Sequence, residues 1–477
     1  GTYFPKSGRQ GMIGLMELLD RIRKGWQSDR DGFVDTASSI VDSMQSHFTM
    51  ENKGDQLSKD TIDQAYRELK NSFDYKYGGF GYSPKFPTPH NLFFLLRYWK
   101  LTDEKEALDM VEKTLDGMYR GGIFDHIGYG FSRYSTDQKW LVPHFEKMLY
   151  DNALLAIACL ETYQATKKEE YAMLAKKIFT YILRDMTHSQ GGFYSAEDAD
   201  SEGEEGKFYT WTPEEIVEIL GEKDGNFFCQ YYGITPGGNF EGKSIPNRIH
   251  AHGPVNQDEE DIKPLREKVF VQREKRVHPH KDDKILTSWN GLMIAALAIG
   301  SRVLDNSQYI DAAEKAFDFI MQKLVNQDGR LLARYRQGEA AHLAYLDDYA
   351  FLVWGLIELY HTTFDVKYLE LALKFNNEML QLFNDTGKGG LFLYGEDGES
   401  LIARPKEVYD GAMPSGNSVA VLNMLLLARM TGDAQLEVKA YDQLNAFTSI
   451  VESSPSAHTC FLMAAIFGLY PTKEIVL

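Results

Sequence analysis

Cysteine is scarce in this chain: Cys159, Cys229 and Cys460 are the three among 477 residues, far apart and without a CxxC pair. That excludes a disulfide framework and a thiolate zinc site, and it suits a reducing, cytoplasmic setting. No run of about eighteen apolar residues marks a membrane span. A dense Lys/Arg stripe is also missing. With a formal charge of -18 the chain lacks the basic face that phosphate neutralisation requires, so no nucleic-acid partner is expected. There is no P-loop, dinucleotide fingerprint or GxSxG, which leaves NTP hydrolysis, hydride transfer on a Rossmann unit and serine-hydrolase chemistry unsupported. What is present is 43% apolar and 13% aromatic residues, enough for a large buried core in a soluble protein.

The length fits two or three average domains or one large toroid. Apolar spacing at i, i+3, i+4 predicts an N-terminal helix pair near 11–26 and 34–48. Twelve further helices follow near 58–73, 89–99, 104–120, 144–166, 168–187, 284–305, 307–326, 345–364, 366–384, 415–431, 434–452 and 456–469. They alternate in kind. Segments such as "EKEALDMVEKTLDGMY" are amphipathic, with one wet face, whereas "NALLAIACLETY", "NGLMIAALAIG" and "YAFLVWGLIELY" are apolar nearly all round and must be buried on every side. Six alternations of outer and inner helix are the pattern of an all-α, (α/α)6 toroid. Residues 189–277 break the period with strand-like "GGFYSAEDAD" and "GKFYTW" and an acidic linker, which reads as an insertion over one mouth of the barrel. The opening "GTYFP" reads as a short strand entering a structure already formed, as though the chain were a fragment.

Each inner helix begins with a polar cluster: "TPHN", "VPHFEKMLYDNA", "LTSWNG", "AYLDDYA", "MPSGNS" and "SPSAHT". Parallel inner helices bring these starts, with their free N–H groups, to one end. Ordinary capping accounts for Ser415 and Ser456, but not for Trp289 or for Asp151 and Asn152 inside an apolar helix. The carboxylates form groups, Glu197/Asp198/Asp200, Asp282/Asp283, Asp347/Asp348 and Asp125 with Glu146 and Asp151. Glycosidic cleavage needs one protonated and one ionised carboxyl group, and sugar epimerisation needs a histidine able to move a proton. The candidate catalytic residues are therefore His144, His126, Asp151, Asp347 and Asp348, with His90 and His458 as further proton carriers. Candidate saccharide contacts are Asp125, Tyr129, Arg133, Tyr134, Trp140, Glu146, Asp283, Trp289, Asn290 and Asn417. Helical spacing places His144, Lys147 and Asp151 on one face, expected to point into the cavity. Gly-Gly-aromatic motifs at 78–80, 121–124, 191–193 and 389–392 predict tight turns whose aromatic anchors in the core. "HPH" at His278 has no established ligand spacing, so neither metal nor cofactor is expected.

Taken together, "GTYFP", "GGIFDHIGYGFSRYSTDQKWLVPHFEKMLYDNA", "GGFYSAEDADSEGEEGKFYTW", "DDKILTSWNGLM" and "DGAMPSGNS" closely resemble the spermatogenesis-associated protein 20 family of thioredoxin-like proteins. The resemblance covers nearly the whole chain. It implies a thioredoxin-like domain fused to a toroid similar to N-acylglucosamine 2-epimerase and the six-hairpin glycosidases. Residues 1–48 would be the tail of the thioredoxin-like part and 49–477 the toroid. The family's cysteine motif would precede Gly1, so no redox chemistry falls on these residues. The functional readings are a carbohydrate-active enzyme of epimerase or hydrolase type, a non-catalytic saccharide- or protein-binding module, and a thioredoxin-linked folding or redox factor. No oligomeric state follows from the sequence.

Overall fold

A computed structural model describes residues 4–9, 11–48, 57–251, 259–399 and 401–473. The chain divides into two compact units, Gly1–Glu51 with Glu399–Lys406, and Asn52–Gly398 with Glu407–Leu477. The first unit holds helices α1 (Leu15–Ser28) and α2 (Arg30–Phe48). Asp29 ends one and caps the other, its Oδ1 accepting from Gly32 N. Leu15, Leu19, Ile22 and Trp26 follow helical spacing on α1 and are exposed. Of the strand expected at "GTYFP", residues 1–3 lie outside the described residues, and Phe4 and Pro5 are not in a strand.

The second unit contains α3 (Lys59–Ser72), α4 (Pro89–Thr102), α5 (Lys105–Arg120), α6 (Leu149–Thr166), α7 (Glu169–Asp185), α8 (Pro213–Leu220), α9 (Glu222–Tyr231) and α10 (Glu259–Arg273). It continues with α11 (Thr287–Leu304), α12 (Ser307–Lys323), α13 (Leu346–Thr363), α14 (Val366–Phe383), α15 (Gly416–Thr431), α16 (Ala434–Ala446), α17 (Thr448–Ser453) and α18 (Thr459–Leu469). Helices α4, α6, α11, α13, α15 and α18 each pack on the next, and α18 returns to α4, closing a ring. Outside it, α5, α7, α12, α14 and α16 each pack on the inner helix before them, and α3 lies against α18. This is an (α/α)6 toroid. The helices apolar all round are the ones that burial on every side demands.

Local chemistry explains the alternation of directions. Inner helices end in a residue in the left-handed region, and the next residue is already the N-cap of the outer helix: Asp103 then Glu104, Asp305 then Asn306, Phe364 then Asp365, Gly432 then Asp433. Each of these second residues accepts a backbone N–H through its side chain. Two residues thus reverse the chain at one end of the barrel. The return connections are long and lie at the other end, where the inner helices start. Five of them close with an isolated β-bridge: Phe73 with Phe80, Phe124 with Phe131, Thr187 with Phe193, Val325 with Leu331, and Asn384 with Leu391. The repeat after α5 is therefore centred on Gly130–Phe131 rather than on the Gly121–Gly122 pair.

Helices α11 and α13 come close where both carry glycine. A Cβ on Gly291 would lie 2.5 Å from the Phe351 carbonyl carbon, and one on Gly355 would lie 2.9 Å from Gly291 O. Because both obstacles are backbone, Gly291→Ala is expected to lower unfolding free energy by about 1–3 kcal/mol, read as a shift in the denaturant midpoint. An unchanged midpoint would mean that the helices can separate freely here.

Between α7 and α11, strand Ala196–Glu197 pairs antiparallel with Lys147–Met148 on one side and Lys281–Asp282 on the other. Asp200–Ser201 and Glu204–Glu205 form a hairpin. "GKFYTW" is not a strand: the carbonyls of Lys207, Phe208 and Thr210 turn inward to the Arg276 guanidinium, which also lies 3.7 Å from the Trp211 ring centroid. Two small cores, one around Trp211, Phe228 and Tyr232 and one around Phe208, Tyr209 and Ile245, take Ile127 and Phe145 from the α5–α6 connection. Cys159, Cys229 and Cys460 are buried free thiols. Among the described residues no helix is long and apolar enough to cross a membrane.

Candidate functional site

Contacts between successive helix starts show that the inner helices begin together. Ser288 N at the start of α11 donates to Asp348 Oδ1 on α13 at 2.8 Å. The Gly416 backbone at the start of α15 bonds the carboxyl of Asp347. Asp410 joins the next two starts, its Oδ1 accepting from Ser415 N and its Oδ2 from Cys460 N. Thr459 donates to Asn91 Oδ1, tying α18 to α4, and the Tyr150 and Trp289 rings meet edge to face at 4.9 Å between α6 and α11. The helix N-termini thus surround one mouth, several of their N–H groups already taken by these carboxyls.

Several residues expected to serve the mouth instead build it. Asn290 accepts from Phe193 N and donates to the carbonyls of Phe193 and Leu286. Asn417 does the same for Leu391, with Glu407 O as its other acceptor, and Asn152 for Phe131, with Met148 O. These amides clamp the return loops, and no polar atom is left for a ligand, so Asn290 and Asn417 are not saccharide contacts. Asp348 is likewise a strut, its Oδ2 accepting from Tyr345 N and its Oδ1 from Ser288 N. Ser415 caps α15 as expected. Ser456 caps nothing; its N–H donates to Glu68.

The opening of α6 departs from the periodicity. The helix begins at Leu149, because Pro143–His144 and Lys147–Met148 are held in short strands by Tyr134–Ser135 and by Ala196–Glu197. His144, Lys147 and Asp151 therefore do not share a helix face. Lys147 is buried, with Nζ 2.8 Å from both Asp125 Oδ2 and Tyr129 O and over the rings of Tyr181 and Tyr209. Asp125 is also gripped by Arg273 at 2.8 and 2.9 Å and by the N–H groups of Ile127 and Gly128. Although burial opposes its charge, Arg273 and Lys147 hold its carboxyl far below the usual range. It is a lock between loop and insertion, not a ligand contact. Tyr129, packed on Phe124 and beneath the Lys177 and Arg266 side chains, belongs to the same lock.

His126 is buried with Nε2–H donating to Gly121 O at 3.1 Å, and burial with neighbouring Arg248 and Lys177 pushes it down to about 3, so the ring stays neutral and takes up no second proton at physiological pH. Burial pushes His90 down to about 4. Burial lowers His458 too, against the opposing hydrogen bond of its Nδ1 to Ser454 O at 2.8 Å. Trp140 is fully buried and donates to Tyr77 O, so it lines no open wall. Asp283 is paired with Arg336. His278 pairs with Glu274 at 3.6 Å, and among the described residues no set of three or more His, Cys, Asp or Glu is placed to hold a metal.

Partly exposed at the mouth are Arg133, Tyr134, His144, Glu146, Trp289 and Asp347. His144 Nδ1 lies 2.8 Å from Glu205 Oε1 and its Nε2 3.3 Å from Glu146 Oε2, while its ring lies 5.1 Å from that of Tyr134. Arg133 bridges Glu146 and the Tyr150 hydroxyl. Asp151 is buried beside them, its Oδ2 lacks a hydrogen-bond partner, and burial raises its carboxyl well above the usual range. Asp347 is pushed up to about 7 by burial first and then by the carboxyls of Asp348 and Glu407, against the hydrogen bond from the Gly416 backbone. Sequence reading missed Glu205, Tyr150, Glu407 and Asp410. Glu205 reaches His144 across 61 residues, and nothing local signals that. Two grooves of about 540 Å³ lie elsewhere, between outer helices α14 and α16 and between α7 and α12.

No protein-family model matches the sequence. Spermatogenesis-associated protein 20 of Homo sapiens is 34% identical, over 100% of this chain and 67% of its own length, and that of Mus musculus is 33% identical, over 96% and 64%. The chain therefore spans about two thirds of the length of these curated relatives. Among solved structures, a cellobiose 2-epimerase from Bacillus thermoamylovorans matches with a TM-score of 0.53 at 12% identity, over 82% of this chain and 88% of that one. A D-mannose isomerase matches at 0.54 and 12%, over 82% and 85%, and a GH76 alpha-mannanase from Bacteroides thetaiotaomicron at 0.51 and 13%, over 81% and 82%. At such identities the likeness is one of fold.

Proposed function

The chain belongs to the spermatogenesis-associated protein 20 family, and we propose that its toroid is a carbohydrate-active enzyme using carboxyl acid–base chemistry at the mouth where the inner helices start. The observation that carries this reading is Asp347: a carboxyl group largely withdrawn from water on a partly exposed residue of the mouth, bonded by the Gly416 backbone, with Asp348 and Glu407 rather than a cation as its charged neighbours. Such surroundings keep one carboxyl protonated near neutrality. In glycoside hydrolysis Asp347 would give its proton to the glycosidic oxygen as the C–O bond breaks. Water would add to the anomeric carbon, with exposed Glu407 taking the water's proton. The fold's likeness to a mannanase and to sugar epimerases supports a saccharide ligand by analogy alone.

Epimerisation is the second reading, supported by His144 between Glu205 and Glu146. It has the weaker support, because His126, His90 and His458 are held neutral. Incubating the full chain with neutral oligosaccharides and following anomeric protons by NMR separates the two, new reducing ends marking hydrolysis and new epimers without chain shortening marking the alternative. Because Asp347 must be protonated to act as acid, the hydrolytic rate is expected to fall as pH rises through about 7. A rate rising through that range would remove Asp347 from the acid role. No turnover with any sugar would leave a binding module. Residues 1–48 we read as the tail of a thioredoxin-like domain on the family resemblance, with a cytoplasmic setting suited to the free thiols.

A further inference from the structure

The segment Glu407–Asp410 crosses several helix starts, and its burial alternates: Glu407 and Tyr409 are exposed, Val408 and Asp410 buried. That is the period of extended backbone, with one face in the core and one in solvent. Three of its four residues are anchored. Glu407 O accepts from Asn417 of α15, Val408 packs in the main core, and Asp410 N donates to Ala457 O just before α18. The Asp410 carboxyl then bonds Ser415 N and Cys460 N. A strap held in this way has little backbone freedom to lose when a ligand binds. On its solvent face, Glu407 neighbours Asp347, and the Tyr409 ring lies 6.4 Å from that of His458 at the start of α18. Tyr409 is 57% exposed although nothing in its local sequence requires an aromatic there. Tyr345, immediately before α13 and two residues from Asp347, is 46% exposed.

Charge narrows the ligand further. Several cations near these starts are paired, Arg133 with Glu146, Arg330 with Asp397, Arg336 with Asp283 and Lys284 with Asp282. Beside Asp347, Glu407 adds an exposed acidic side chain, which disfavours a phosphate or uronate there.

Resting on the saccharide reading above, we infer that the strap forms a second sugar subsite, in which Tyr409 stacks a pyranose ring next to the one handled at Asp347. The ligand is then an uncharged oligosaccharide rather than a monosaccharide or a sugar phosphate. An exposed aromatic face offers apolar C–H surface contact at little entropic cost, and Glu407 offers an acceptor to the hydroxyl groups.

The test is calorimetric titration of the full chain and its Tyr409→Ala and Tyr409→Trp variants with cellotriose, maltotriose, mannotriose, glucose, mannose and glucose 6-phosphate. At least one trisaccharide is expected to bind wild type, to bind the Tyr409→Ala variant about tenfold more weakly, and to recover with Tyr409→Trp. Glucose and mannose should differ by less than about twofold between variants, and glucose 6-phosphate should bind no better than glucose. Thermal midpoints should agree among the three proteins, since the side chain is exposed. Unchanged trisaccharide affinity in Tyr409→Ala, or tighter binding of the phosphate, overturns the subsite while leaving the saccharide reading intact. Binding of none of the sugars to wild type overturns both.

Discussion

Replacing Asp347 by Asn is expected to lower turnover by about two to four orders of magnitude while leaving the fold in place. Asn keeps an oxygen to accept from the Gly416 backbone, so the link between α13 and α15 survives. What it loses is the transferable proton. The stability argument has a definite sign. The carboxyl's folded-state pKa, about 7, lies above that of an unfolded aspartate, so its favourable contribution is complete at acid pH and is lost as pH rises through about 7. At neutral pH an amide escapes that loss, and the melting midpoint of the variant should equal or exceed that of wild type. Steady-state kinetics on the best oligosaccharide, with thermal melts at acid and neutral pH, measure both halves. Turnover within about twofold of wild type would take Asp347 out of the chemistry.

Asp125→Ala should have the largest effect on stability, about 3–5 kcal/mol, because it strands Lys147 and Arg273 as buried charges without a counter-ion. It also removes the acceptor for Ile127 N and Gly128 N. Denaturant unfolding of the variant measures the loss. The comparison that isolates the mechanism is a triple replacement of Asp125, Lys147 and Arg273 by apolar residues of similar volume. That variant should be more stable than Asp125→Ala, since no unpaired charge remains. If the single change costs less than about 1 kcal/mol, water reaches this cluster and the lock does not exist. Turnover should fall along with stability, because the loop held by Asp125 also carries Arg133, His144 and Glu146.

The architecture was legible because burial repeats with the helical period. "NALLAIACLETY" and "YAFLVWGLIELY" have no polar face to give to water, so each must be an inner helix, and the alternation with amphipathic segments gives the six-hairpin order. Capping chemistry is equally local, and Asp305 then Asn306 or Phe364 then Asp365 makes the turn where the apolar pattern stops. The roles of the polar residues were not local. Asp125 meets Arg273 across 148 residues, His144 meets Glu205 across 61, and Asn290 meets Phe193 across 97. No spacing rule joins such pairs. Asn290 and Asn417 read as ligand contacts because a buried amide must bond to something, and only ring closure shows that the something is a return loop. His144 and Lys147 read as helical because "PHFEKMLYDNA" fits the period, whereas pairing with Ala196–Glu197 from a distant insertion holds Lys147–Met148 extended. Which segments are helices and which of them are buried could be read along the chain, since both follow from neighbours within one or two turns. Which carboxyls are locked and which stand open at the mouth was decided by tertiary structure alone, because the sign and distance of a charge's partner exist only once the ring has closed.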